Sequence, residues 1–246
     1  MSDHKNSGEQ AAHHSPGFWS QYVFSTDHKT IGIQYAVTAL VFLLFGFTLM
    51  TIMRFQLAYP GGEGAPALIK AFFRGLSKLM GGDISVAPEF YNSLGAMHGT
   101  IMVFMGVVPL AVGGFGNYVL PLQVGAKDMA FPRLNMLSYW IFLPGGLLML
   151  ASFFLPGGPA NSGWTAYPPL SVLESGSAGA GETLWLVSMI FLITSSLLGS
   201  INFIVTVLHL RAPGLTLFRL PFFVWAQFVT SFLLLLAFPP LEAAAV

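Results

Sequence analysis

The stretch that decides the fold is Ser93–Leu120, SLGAMHGTIMVFMGVVPLAVGGFGNYVL, which holds no Lys, Arg, Asp or Glu along its whole length. A helix rises about 1.5 Å per residue, so about 20 mostly apolar residues cross the hydrocarbon of a bilayer. Working outward, four more stretches meet that length: Ile31–Met53, Leu134–Leu155, Leu184–Leu210 and Pro221 to near the C-terminus. Gly and Pro recur inside them, as membrane helices tolerate when neighbours satisfy the freed backbone groups. Gly113, Gly114 and Gly116 would let another helix approach closely. The expected class is an all-α integral membrane protein, with a polar N-terminal tail at 1–30 and a transmembrane domain of five helices over 31–246.

Composition agrees. Of 246 residues 54% are hydrophobic and 8% charged, too few charges to cover a water-facing surface. A net charge of zero leaves no basic stripe for nucleic acid. With no cysteine, disulfides, thiolate metal sites, iron–sulfur ligation and covalent c-type haem attachment are all excluded. The first 20 residues are polar and lack the apolar core of a removable signal peptide. His13 and His14 stand side by side in that tail and are given no role. The last span ends on an apolar run without a polar tail, LLLLAFPPLEAAAV, which leads us to expect a truncated chain.

Basic residues in the connections set orientation. Lys5 and Lys29, Lys127 and Arg133, and Arg211 and Arg219 all fall on one side, while Pro156–Thr183 carries no Lys or Arg. That pattern places the N-terminus inside, although Arg54, Lys70, Arg74 and Lys78 in the first connection run against it. Within that connection, apolar residues from Leu68 to Met80 recur at helical spacing, predicting an amphipathic helix over 67–80 in the outer interface.

Polar groups at membrane depth are costly, so each needs a reason. His98 lies inside the second span, where a neutral imidazole either hydrogen-bonds between helices or ligates haem iron, its other nitrogen donating to a backbone carbonyl. Asn117, Asn135, Ser138, Ser195, Ser196 and Asn202 sit toward the inner ends or middle of spans two to four, with Asp128 in the connection between spans two and three. They either bond helix to helix or hold a file of water with a carboxylate at its mouth. Arg54 either snorkels to headgroups or hydrogen-bonds a cofactor carbonyl. Trp164 and Tyr167, in SGWTAYPP, are either interfacial anchors or donors to a cofactor's carboxylates.

These segments resemble subunit I of the haem–copper oxidases. The matches run in family order: STDHKTIG, AMHGTIMVF, GGFGNYVLPLQVGAKDMAFPRLNMLSYW, GWTAYPPL, SSLLGSINF and LRAPGLTLFRLPFFVW. The resemblance implies that His98 is an axial ligand of a low-spin haem A, with Met102 one turn along, and that Arg54 bonds the haem formyl group. It implies that Tyr91 and Trp164 contact haem propionates, with Tyr167 beside them. Asp128 matches the mouth of the D proton pathway, Asn117 and Asn135 its entry asparagines, and Ser195, Ser196 and Asn202 residues further along. These matches favour the A-type branch.

Family subunits form a bundle of about twelve spans of the length set by the bilayer, so five spans represent an N-terminal portion. The second haem, the copper, their ligands and the second axial ligand of the low-spin haem are expected on later helices. Implied partners are the copper-carrying subunit II, subunit III, cytochrome c as electron donor and the lipid bilayer, in a bacterial inner membrane. Phe45 and Leu49 stand where some quinol oxidases carry Arg and Asp, which leans toward cytochrome c; Gln56 replaces a Glu of the family's outer cation site. The activity implied is proton-pumping reduction of oxygen to water. A quinol oxidase and a non-catalytic haem-binding or assembly fragment are the competing readings, and a transporter is disfavoured by the lack of an internal repeat.

Overall fold

The computed structural model describes residues 17–60, 64–80, 88–172 and 179–245; His13 and His14 lie outside them. Among the described residues the regular structure is helical, with no strand. Five helical segments are long and apolar enough to cross a membrane: His28–Ala58, Phe90–Val124, Pro132–Phe154, Ala180–His209 and Phe222–Ala245. A short wide-turned helix over Trp19–Val23 precedes them, and Phe24 stacks on Trp140 at 5.1 Å.

Helix α1 (His28–Ala58) starts where Asp27, in extended backbone, accepts the Lys29 N–H on its carboxylate at 2.7 Å. It runs beyond the expected Met53, so Arg54 sits one turn inside its end. Helix α2 (Ala67–Met80) follows, with Leu68, Lys70 and Arg74 exposed and Ile69 leaning on the core.

The second span is a composite. Helix α3 (Pro88–Thr100) gives way to two π-helical segments, Ile101–Val107 and Pro109–Gly116, before helix α4 (Asn117–Val124). Pro109 accounts for part of this: it has no N–H to donate, and its ring clashes with the carbonyl four residues back in a regular helix. The span stops at Gly125, whose φ of +76° suits the left-handed C-cap, and where a β-carbon would lie 2.9 Å from that of Ala212. Helices α5 (Pro132–Ala151), α6 (Ala180–His209) and α7 (Phe222–Ala245) complete the bundle.

One apolar cluster joins α1, the second span, α5 and α6 through Tyr35, Phe42, Met97, Met105, Phe142 and Trp185; a second joins α4, α6 and α7 through Leu120, Phe203, Val207 and Val224. The outward faces are apolar as well, with Val37, Leu40, Leu44 and Phe47 exposed on α1. Lipid, not water, suits such a surface.

Packing of α1 on the second span depends on glycine. A β-carbon on Gly32 would lie 2.9 Å from the Gly114 carbonyl, one on Gly46 would lie 2.7 Å from the Met102 sulfur, and one on Gly113 would lie 2.6 Å from the Tyr35 ring. Two helices without a hydrophobic drive between them in lipid gain their cohesion from such close approach. Tyr35 has little freedom to retreat, because its hydroxyl is bonded to both Ser138 and Ser195. Gly113→Val in the complete subunit is expected to lower stability by about 1–3 kcal/mol through overpacking, read as a lower thermal midpoint of the purified protein in detergent.

Candidate functional site

The polar groups singled out by the sequence are distributed along the bundle, some toward either end and Ser195 and Ser196 at the middle of the Ala180–His209 helix. The start of α1, the end of α4 and the start of α5 lie at the Asp128 end; the start of α6 and the 156–172 connection lie at the Trp164 end.

Toward the Trp164 end, the His98 Nδ1 lies 2.8 Å from the carbonyl oxygen of Gly46 on α1. A carbonyl can only accept, so Nδ1 carries the hydrogen, and in a neutral imidazole Nε2 is left with a lone pair. No other hydrogen bond to the His98 ring is made by the described residues. Gly46 serves twice, admitting the Met102 thioether against α1 and supplying the carbonyl that fixes the His98 tautomer. Met102 is thereby a packing neighbour of the same contact. Trp164 is half exposed, its ring 6.1 Å from that of Phe104 on the second span, and Tyr167 is exposed. Tyr91 is half-buried near the start of α3. Arg54 is exposed and has no hydrogen bond or ion pair among the described residues.

At the Asp128 end the polar groups converge. The Tyr35 hydroxyl is 3.0 Å from Ser138 Oγ and 3.1 Å from Ser195 Oγ, Ser195 donates to the Ser138 carbonyl at 2.6 Å, and Ser138 donates to the Asn135 carbonyl at 2.7 Å. These groups border a cavity of about 40 Å³ whose polar lining is Tyr35, Asn117, Ser138, Ser195 and Ser196. One water needs on the order of 10–15 Å³ by this measure, so the space suits a few. Asn117 donates its amide to the Gly113 carbonyl at 2.7 Å, but its Oδ1 has no partner, and neither Oδ1 nor Nδ2 of the buried Asn135 has one. Buried amides are rarely left bare, because each unpaired group costs about 1–3 kcal/mol. Ordered water is the partner that such a site calls for.

Asp128 is half-buried in the connection between α4 and α5, accepting the Met129 N–H at 2.7 Å. Its connection is clamped to α6: Asn202 accepts the Phe131 N–H at 2.9 Å and donates to the Phe131 carbonyl at 3.2 Å, and Thr206 accepts the Ala130 N–H at 2.9 Å. The Asn202 amide is therefore occupied by backbone and is not part of the cavity lining, unlike Asn117, Ser195 and Ser196.

Sequence reasoning overlooked three participants. Tyr35 looks like one more aromatic in an apolar span, although a phenol there needs a partner. His28, 2% exposed, hydrogen-bonds the Asn117 carbonyl at 2.8 Å from the start of α1. Glu182, 5% exposed, takes the Ser162 hydroxyl onto its carboxylate at the start of α6. Only Tyr35 carried a signal, a polar group inside a stretch long enough to span; His28 and Glu182 lie just outside the expected spans Ile31–Met53 and Leu184–Leu210. Among the described residues, no group of three or more His, Cys, Asp or Glu could hold a metal ion.

Comparison with known proteins matches residues 30–246 to the family model described as Cytochrome C and Quinol oxidase polypeptide I. The chain is 42% identical over 234 residues to a cytochrome c oxidase subunit 1 of Thermostichus vulcanus, covering 94% of this chain and 38% of that protein. It is also 42% identical to a cytochrome c oxidase subunit 1 of Synechocystis sp., over 96% of this chain and 38% of the relative. The same identity, over 95% and 36%, holds for an alternative cytochrome c oxidase subunit 1 of Bradyrhizobium diazoefficiens. The chain thus spans a little over a third of the length of these relatives. As for the clamp described above, Asn202→Leu is expected to lower stability by about 1–3 kcal/mol and to speed amide exchange at Phe131, read by hydrogen–deuterium exchange.

Proposed function

The chain belongs to the cytochrome c and quinol oxidase polypeptide I family of haem–copper oxidase subunits, and on that premise we propose that it is the N-terminal portion of the catalytic subunit of a proton-pumping cytochrome c oxidase. The observation that carries the reading is the division of the His98 ring, with Nδ1 committed to the Gly46 carbonyl and the lone pair left on Nε2. The donor set fits haem, since an iron held by a porphyrin asks the protein only for axial ligands. His98 would hold the iron of a low-spin haem A, with Met102 beside it. Arg54 would meet its formyl group, and Tyr91, Trp164 and Tyr167 its propionates. When bound, that haem supplies one-electron storage between the donor and the oxygen-reducing centre. The exposed Arg54 guanidinium and Trp164 and Tyr167 rings are free to make such contacts.

The residues of this chain would then do two things. The Gly46 carbonyl orients the imidazole and keeps Nε2 unprotonated, so that the ligand is ready without rearrangement. Asp128 collects protons from the inner side, and water held by Asn135 and, along the 40 Å³ cavity, by Asn117, Ser195 and Ser196 with Tyr35 and Ser138, passes them inward. Asn202 contributes by holding the Asp128 connection in place. The driving force is electrostatic: an electron added in a medium of low dielectric favours uptake of a compensating proton. This orientation puts the N-terminus in the cytoplasm of a bacterial cell and the Trp164 end outside. The second haem and the copper would be held by residues outside this chain, with subunits II and III as partners and cytochrome c as donor.

A quinol as donor is the competing reading. Against it, Phe45 sits edge-to-face on Phe153 at 5.4 Å and Leu49 is buried, so neither position offers a hydrogen bond to a quinol headgroup. Two variants of the complete subunit test the proposal. His98→Ala abolishes the low-spin haem spectrum; an unaltered spectrum refutes the ligand assignment. Asp128→Asn is expected to leave haem content intact while slowing proton uptake by an order of magnitude or more, a positioned acid–base group typically contributing about 10²–10⁴-fold; wild-type uptake in that variant removes the proton-entry role.

A further inference from the structure

At the Trp164 end, one carboxylate has no part in the chemistry so far. Glu182 lies in the first turn of α6 and is 5% exposed, yet its chain neighbours from Pro156 to Thr183 include no Lys or Arg, and no ion pair joins it among the described residues. Its Oε1 takes the Ser162 hydroxyl, the Asn161 N–H lies beside the same carboxylate, and Oε2 is buried without a partner. The other acceptor near the Ser162 hydroxyl, the Gly163 carbonyl, is at a long 3.4 Å. The neighbouring Gly181 is pressed so tightly on Gly158 and Pro159 that no β-carbon fits between them. The turn at 158–162 is thus fastened to α6 at two adjacent points, and Trp164 comes two residues later.

We infer that Glu182 is a positioning residue for Trp164 and Tyr167, pinning through Ser162 the turn from which both aromatic side chains are presented. The inference rests on the proposed role of those two side chains as contacts of a haem's propionates. A carboxylate in a nearly closed site is a demanding choice for a loop fastener, because burying it without a cation is costly. It gives the Ser162 hydroxyl a carboxyl oxygen as acceptor, and this bond joins the buried Ala160 in holding the turn. Beyond the turn, the Trp164 ring meets that of Phe104 on the second span and the Ala166 methyl leans on the core. Trp164 is half exposed, so its placement depends on the backbone that leads to it.

The test uses the complete oxidase. Glu182→Leu is expected to raise hydrogen–deuterium exchange over residues 160–167 at least tenfold. It should also shift the low-spin haem's absorption band and midpoint potential with haem content unchanged. Glu182→Gln, which keeps an acceptor oxygen for the Ser162 hydroxyl, is expected to restore both toward wild type. Where Glu182→Leu fails to assemble, Ser162→Ala gives the same two readouts from the other side of the bond. Unchanged exchange in these variants overturns the pinning, and raised exchange with an unmoved haem band and potential overturns the connection to the cofactor. A wild-type complex without low-spin haem contradicts the proposed function instead, and the exchange measurement then decides the pinning by itself.

Discussion

The closeness of α1 to the second span governs both ends of this molecule. Where Gly46 faces Met102 and Gly32 faces the Gly114 carbonyl, the two backbones approach nearer than side chains would permit. In lipid such contact is a main source of helix cohesion. It also has a chemical result, because only a backbone that close presents the Gly46 carbonyl to the His98 ring at 2.8 Å. Packing and tautomer are two outcomes of one missing methyl group. The same interface seats Tyr35 against Gly113 and so delivers a phenol to Ser138 and Ser195.

At the Asp128 end the organising fact is incomplete satisfaction. Most polar side chains there are bonded: Ser138 and Ser195 to carbonyls, Asn202 and Thr206 to the backbone that follows Asp128. Left without a partner there are Asn117 Oδ1, the whole Asn135 carboxamide, Ser200 Oγ and Gln227 Oε1, all buried. Unpaired groups beside a cavity large enough for water, Asn117 Oδ1 among them, have the makings of a hydrated path in a dry interior. The clamp and the path then divide the work, with Asn202 fixing where the carboxylate stands and Asn117 and Asn135 left free to bind solvent.

Much of this was legible in the sequence because lipid imposes a simple rule. Runs of about 20 apolar residues located every spanning helix, with differences confined to the ends, as where α1 continues past Met53 to Ala58. His98 stood out because an imidazole is conspicuous among Met, Phe and Gly. Other features resisted. Whether Asn117 or Asn202 keeps a free amide depends on partners 4 and 71 positions away in the chain, and residue type carries no trace of that choice. Tyr35 and Glu182 hid for opposite reasons: the phenol blends into an aromatic-rich span, and the carboxylate sits so near a helix start that it reads as part of a loop. Pro109 announced a disturbance, but two successive wide turns are more than one proline requires.

Those wide turns have a consequence for comparing relatives. A helical wheel drawn through the second span at about 100° per residue loses phase between His98 and Asn117, because each wide turn absorbs an extra residue. The segment acts as slack in the winding. A homologue with one residue fewer here can tighten a turn and leave both ends facing as before. The same deletion in the regular winding of α5 would swing Ser138 by about 100° away from Tyr35 and Ser195. Length variation ought therefore to collect in one helix of this bundle and be excluded from its neighbours.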